Sequence, residues 1–95
     1  MMKKKIIVQL QHGLQARIAA EFVQKASSFE SEIHVIKDGR SVVGKSVMGV
    51  MAIAAREGEE ITLIVNGRDE QKAVTALESF LSGREFRADQ TYIIR

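Results

Sequence analysis

Two short stretches hold the groups that could carry chemistry. In Lys45-Ser46-Val47-Met48-Gly49-Val50-Met51 a serine precedes a run of apolar residues. A serine at that place can accept a hydrogen bond from a free N–H of the first helical turn. The same place tolerates added negative charge, because the helix dipole and its unbonded amides favour an anion. The residues leave both roles open: a capped core helix, or a modifiable serine at a surface. In Gly13-Leu14-Gln15-Ala16-Arg17 a glycine turn leads into a helix with an arginine in its first turn. Free amides beside a guanidinium can hold an anion. Equally, Gln15 and Arg17 can be plain exposed polar residues.

Other chemistry finds little support. Gly39-Arg40-Ser41-Val42-Val43-Gly44-Lys45-Ser46 spells the G-x-x-x-x-G-K-[ST] phosphate loop. That loop needs amides curled around phosphates between a strand end and a long helix. Here the first glycine belongs to an Asp38-Gly39 hairpin and Ser41-Val42-Val43 reads as strand, so the match is a coincidence of spelling. His12 reads as a loop residue and His34 as a solvated strand residue, neither with a nucleophile and acid beside it. There is no cysteine, and no cluster of ligand residues has metal spacing. No catalytic residue, metal or cofactor is expected.

The elements that must position these stretches follow from periodicity. Lys4 to Leu10 alternates as a strand, with Ile6, Val8 and Leu10 facing inward. Ala19, Phe22, Val23 and Ala26 stripe a helix from Ala16 to Ser27. Glu32 to Lys37 and Arg40 to Val43 form a hairpin about Asp38-Gly39. The helix opened by Ser46 is expected to end near Arg56-Glu57-Gly58 with the glycine as C-cap. Its one-face spacing selects Val47, Val50, Met51 and Ala54, while Met48 and Ile53 widen the apolar arc beyond one core face. Glu60 to Val65 alternates on Ile61, Leu63 and Val65. After Asn66-Gly67, Asp69 caps a last helix striped by Ala73, Val74, Leu77, Phe80 and Leu81 and stopped by Gly83. The order β-α-β-β-α-β-α predicts an α+β fold: a two-layer open-faced β-sandwich, with three helices on one face of a four-stranded, mainly antiparallel sheet. Residues 1–83 form this unit and 84–95 a tail of unassigned role, ending in the apolar Tyr92-Ile93-Ile94.

Composition bounds the partners. Ninety-five residues make one domain. The net charge is only +2, the aromatic content 5%, and there is no basic helix, which argues against direct nucleic-acid binding. No apolar run approaches a membrane span, and Gln9 and Gln11 interrupt the N-terminal run too early for a signal peptide.

Together, Gly13-Leu14-Gln15-Ala16-Arg17, Lys45-Ser46-Val47-Met48-Gly49-Val50-Met51 and the element order resemble the HPr family of the bacterial sugar phosphotransferase system, from about residue 4 to residue 83. In that family a histidine stands between the residues matching Leu14 and Ala16 and accepts a phosphoryl group from enzyme I. This chain has Gln15, whose amide nitrogen has its lone pair delocalised into the carbonyl and is not a nucleophile. Ile18 also stands where the family usually has proline. The resemblance is to the family's regulatory branch, with a degenerate phosphocarrier site at Gln15 and the serine motif intact. It implies phosphorylation of Ser46 by HPr kinase/phosphorylase. It further implies that the phosphoprotein is a co-effector of a LacI-type catabolite control repressor. Under it Gln15, Arg17, Lys45, Val47, Met48 and Met51 meet partners, Arg17 and Lys45 flank Ser46, and Val50, Ile53 and Ala54 turn inward. The expected location is the cytoplasm, as a monomer or a weak or strand-exchanged dimer formed through the open sheet edges.

Overall fold

Alternating β-branched residues build the strands and one-sided apolar stripes build the helices that cover them. The computed structural model describes residues 1–11 and 13–83. His12 and the tail 84–95 lie outside the described residues, so the expectations placed on them have no counterpart below. The elements are β1 (Met2–Ile7), α1 (Ala16–Ser27), β2 (Glu32–Lys37), β3 (Arg40–Val43), α2 (Val47–Ile53), β4 (Glu60–Asn66) and α3 (Glu70–Leu81).

The four strands form one sheet in the order β1-β4-β2-β3, and every pairing is antiparallel. In the register, Val65 lies opposite Met2 and Ile33, Leu63 opposite Lys4 and Val35, and Ile61 opposite Ile6. Side chains alternate across a strand, so Ile6, Ile33, Val35, Ile61, Leu63 and Val65 share the buried face. The helices cover it with Ala19, Phe22, Val23 and Ala26 from α1 and Ala73, Val74, Leu77, Phe80 and Leu81 from α3, the stripes read from the sequence. Phe22 and Phe80 meet where α1 packs against α3, ring centroids 6.1 Å apart at 56°. On the open face His34 is half-buried beside half-buried Ile36 and Ile64. The α+β, open-faced architecture is the expected one.

The structure moves some boundaries. β1 begins at Met2 and ends at Ile7, rather than running from Lys4 to Leu10. Val8 and Leu10 stay buried, but Val8 N–H donates to Glu59 O and Gln9 N–H to Leu81 O, so the chain leaves the ladder toward α3. Asp38 (φ 52°) and Gly39 (φ 80°) both take left-handed backbone, and Lys37 faces Arg40 across them. That is the geometry a two-residue hairpin turn requires. It also fixes Gly39 and Ser41-Val42-Val43 in a hairpin, not a phosphate loop. Among the described residues, no helix is long and apolar enough to cross a membrane.

Candidate functional site

The start of α2 is self-contained. Ser46 has extended backbone, its Oγ accepts from Gly49 N–H at 3.1 Å, and its carbonyl accepts from Val50 N–H at 2.9 Å. These two bonds close the first turn and leave Ser46 half-exposed. Of the apolar positions that follow, Val50 and Ile53 are buried, while Val47 is 37%, Met51 46% and Met48 82% exposed. The one-face stripe of Val47, Val50, Met51 and Ala54 is therefore corrected. The helix turns only Val50 and Ile53 inward: over about two turns, positions three apart lie on one face, and that face alone meets the sheet. Ala54, expected inward, is exposed, and Ala55 is buried in its place.

The far end of α2 also departs from expectation. The helix stops at Ile53, and Ala54, not Gly58, caps it in left-handed backbone (φ 53°, ψ 45°). That reversal turns Ala55 into the core and presents its carbonyl to the loop before α1, where Leu14 N–H donates to it at 2.8 Å. Gly13, at φ +68°, lies so close that a Cβ would stand 2.3 Å from Ala55 O. Only glycine fits there. With Leu14 fully buried, Gln15 takes the N-cap position of α1 without a side-chain cap, its own carbonyl accepting from Ile18 N–H and Ala19 N–H. Ala16 follows at φ 46°, a left-handed conformation that costs an alanine roughly 1–2 kcal/mol. Gln15, Ala16, Met51, Ala54 and Arg56 together line a cleft of about 410 Å³. The two stretches marked in the sequence thus meet, at the N-terminus of α1 and the C-terminal half of α2.

The two cations expected beside Ser46 have bonds of their own. Lys45 Nζ donates to Phe29 O at 2.7 Å, and Arg17, exposed on α1, pairs with Glu21 at 3.7 Å. A cation the sequence did not single out takes a central place. Lys37, from the end of β2, donates to Ala54 O at 3.1 Å and Ile53 O at 3.4 Å, and pairs with Glu59 Oε1 at 2.9 Å. The same carboxylate accepts from Arg56 N–H at 2.7 Å. Its hydrogen bond to Lys37, then that from Arg56, holds Glu59 below the usual carboxylate range. A signal for Lys37 existed: α2 has no basic residue in its last turn, so its terminal carbonyls need a donor from elsewhere. Among the described residues no group of three or more His, Cys, Asp or Glu gathers to hold a metal.

The family model described as the PTS HPr component phosphorylation site matches residues 2–83. The chain belongs to the HPr family. It is 52% identical over 81 residues to the HPr-like protein Crh of Halalkalibacterium halodurans, covering 85% of this chain and 96% of that protein. It is 47% identical over 81 residues to the HPr-like protein Crh of Bacillus subtilis, covering 85% and 95%. Among solved structures, a phosphocarrier protein HPr from Bacillus anthracis superposes with a TM-score of 0.83 at 42% identity, over 84% of this chain and 95% of that one. A crystal structure of Bacillus subtilis Crh, described as a swapped dimer, superposes at 0.69 with 47% identity, over 85% and 93%. HPr and Crh proteins are phosphocarriers or regulators rather than catalysts, and this chain is not an enzyme.

Proposed function

We propose that this HPr-family protein is a non-catalytic regulatory phosphoprotein of carbon catabolite repression. HPr kinase/phosphorylase phosphorylates Ser46, and the phosphoprotein is then the co-effector of a cytoplasmic LacI-type catabolite control repressor. The observation that carries the reading is the start of α2: a half-exposed serine at the N-cap of a helix that also exposes Val47, Met48 and Met51. Phosphate there adds about −1.5 to −2 charges where the first-turn amides accommodate them, so the modification changes a surface without refolding the domain. The exposed methionines are soft enough to fit more than one partner. Gln15 at the place of the family's histidine removes the phosphocarrier nucleophile and leaves its loop as part of the docking face, with Arg17 and, once drawn off Phe29 O, Lys45.

Intact mass after two parallel incubations tests this. Kinase with ATP should add one phosphoryl group, mapped to Ser46; enzyme I with phosphoenolpyruvate should add none. Acceptance from enzyme I overturns the reading.

A second reading has its own observation: Ser46 Oγ already caps the helix through Gly49 N–H, and a purely structural serine would look the same. Under it, neither incubation leaves an adduct. For assembly, we propose a monomer in exchange with a strand-exchanged dimer. Among the described residues β1 is an edge strand paired only with β4, and the Bacillus subtilis relative is described as a swapped dimer. Sedimentation across protein concentration reads this directly.

A further inference from the structure

The C-terminal end of α2 relies on help from a distant residue. The helix is seven residues long, ends on a left-handed alanine and carries no basic residue in its last turn. Such an end leaves carbonyls without helical donors, at the negative pole of the dipole. Lys37 supplies both a donor and a positive charge, reaching Ile53 O and Ala54 O from the end of β2 with its side chain only 13% exposed. Glu59 holds the ammonium from the other side and ties down Arg56 N–H with the same oxygen. Between the two tied residues lies Ala55, whose carbonyl receives Leu14 N–H and whose backbone Gly13 nearly touches. The loop bearing Gln15 and Ala16 therefore rests on a segment that Lys37 and Glu59 clamp. Ser46 sits at the opposite end of α2, and its cap shares no group with this clamp.

We propose that Lys37 is a positioning residue of the partner face. Its ammonium, held by Glu59, fixes the last turn of α2 and so sets the Gln15 loop against Met51 across the cleft. The face is thereby assembled before any partner docks. This rests on the reading of that face as the repressor-binding surface.

Lys37→Met keeps the stem that covers apolar surface and removes the charge. In the full chain phosphorylated on Ser46, phosphate acceptance should be unchanged. Amide exchange at Leu14 and Arg56 should quicken about tenfold, and affinity for the host's catabolite control repressor should fall by about tenfold. Lys37→Arg should recover most of both losses, which loss of packing alone would not explain. Leu63 N–H in the sheet core should exchange at the wild-type rate. Wild-type exchange at Leu14 overturns the proposal, and so does quickened exchange at Leu63 to the same degree, which would make Lys37 a general stabiliser. A phosphorylated wild-type chain that fails to bind the repressor overturns the functional reading instead, and the exchange arm still decides whether Lys37 positions the loop.

Discussion

Ser46 and Asp69 look alike in the sequence: each is a strong capping residue standing immediately before a helix. The structure uses them in opposite ways. Ser46 turns its hydroxyl back onto Gly49 N–H and caps α2. Asp69 makes no side-chain cap. Its carboxylate reaches across to accept from Glu30 N–H, Ser31 N–H and the buried Ser31 hydroxyl, while Glu70 takes Gly67 N–H at 3.0 Å. A helix whose start meets another loop lends its capping group to that loop, and a short helix whose start stands free must cap itself. The first arrangement is a fastening between the α1–β2 connection and α3. The second leaves a half-exposed serine at the start of a helix that also exposes Val47, Met48 and Met51.

Of these two regions, the fastening is where substitution should cost more. A Cβ on Gly67 would lie 2.6 Å from both Ser31 Cα and Ser31 Oγ. Backbone cannot give way as a flexible side chain would, so Gly67→Ala should destabilise the fold by about 1–3 kcal/mol, read by urea unfolding. Wild-type stability would mean that the two segments are not locked together. Ser46→Ala tests the other side of the comparison. It removes a cap worth about 0.5–2 kcal/mol while leaving the sheet and its packing intact, and under the regulatory reading it also abolishes phosphate acceptance from the kinase. A variant that still gains phosphate would place the modified residue elsewhere.

The same contrast explains how far the sequence could be read. The helix stripes of α1 and α3 and the alternation in β2 and β4 were legible because each is a local pattern repeated over several turns or pleats. β1 slipped because Ile6, Val8 and Leu10 continue to alternate in burial after the ladder with β4 has ended: burial and strand pairing are separate properties. The end of α2 slipped because Gly58 carried the usual stop signal, while the burial of Ala55 under the Gln15 loop required an earlier reversal at Ala54. Ser46, Met48 and Met51 could be picked out by residue type and position. The Lys37–Glu59 clamp and the Asp69–Ser31 tie could not, because each joins residues more than 20 positions apart through side chains whose reach no periodic pattern encodes.

The smallest expected effect is electrostatic, and it separates the two residues again. Donation from the Ser31 hydroxyl, then from Glu30 N–H, holds Asp69 below its ordinary value. Glu70 is lowered by Gly67 N–H and then by the Met1 ammonium, as Glu59 is by Lys37. A carboxylate that is easier to ionise in the folded chain than in the unfolded one binds fewer protons when folded. Its contribution is therefore complete above the unfolded value and is lost as pH falls through the folded one. Stability should be flat near neutrality and decline below about pH 4. The decline should be modest, because these groups are solvent-screened. Asp69→Asn should lower stability at neutral pH, since its one remaining oxygen can keep the Ser31 donors only by leaving Glu30 N–H facing an NH₂ that cannot accept, and should make the acid decline shallower. Ser46→Ala, with nothing to titrate, should shift the whole curve down and leave its slope untouched. Parallel acid limbs for wild type and Asp69→Asn would show that the carboxylate's charge adds nothing to the fastening, and that any acceptor oxygen would serve there.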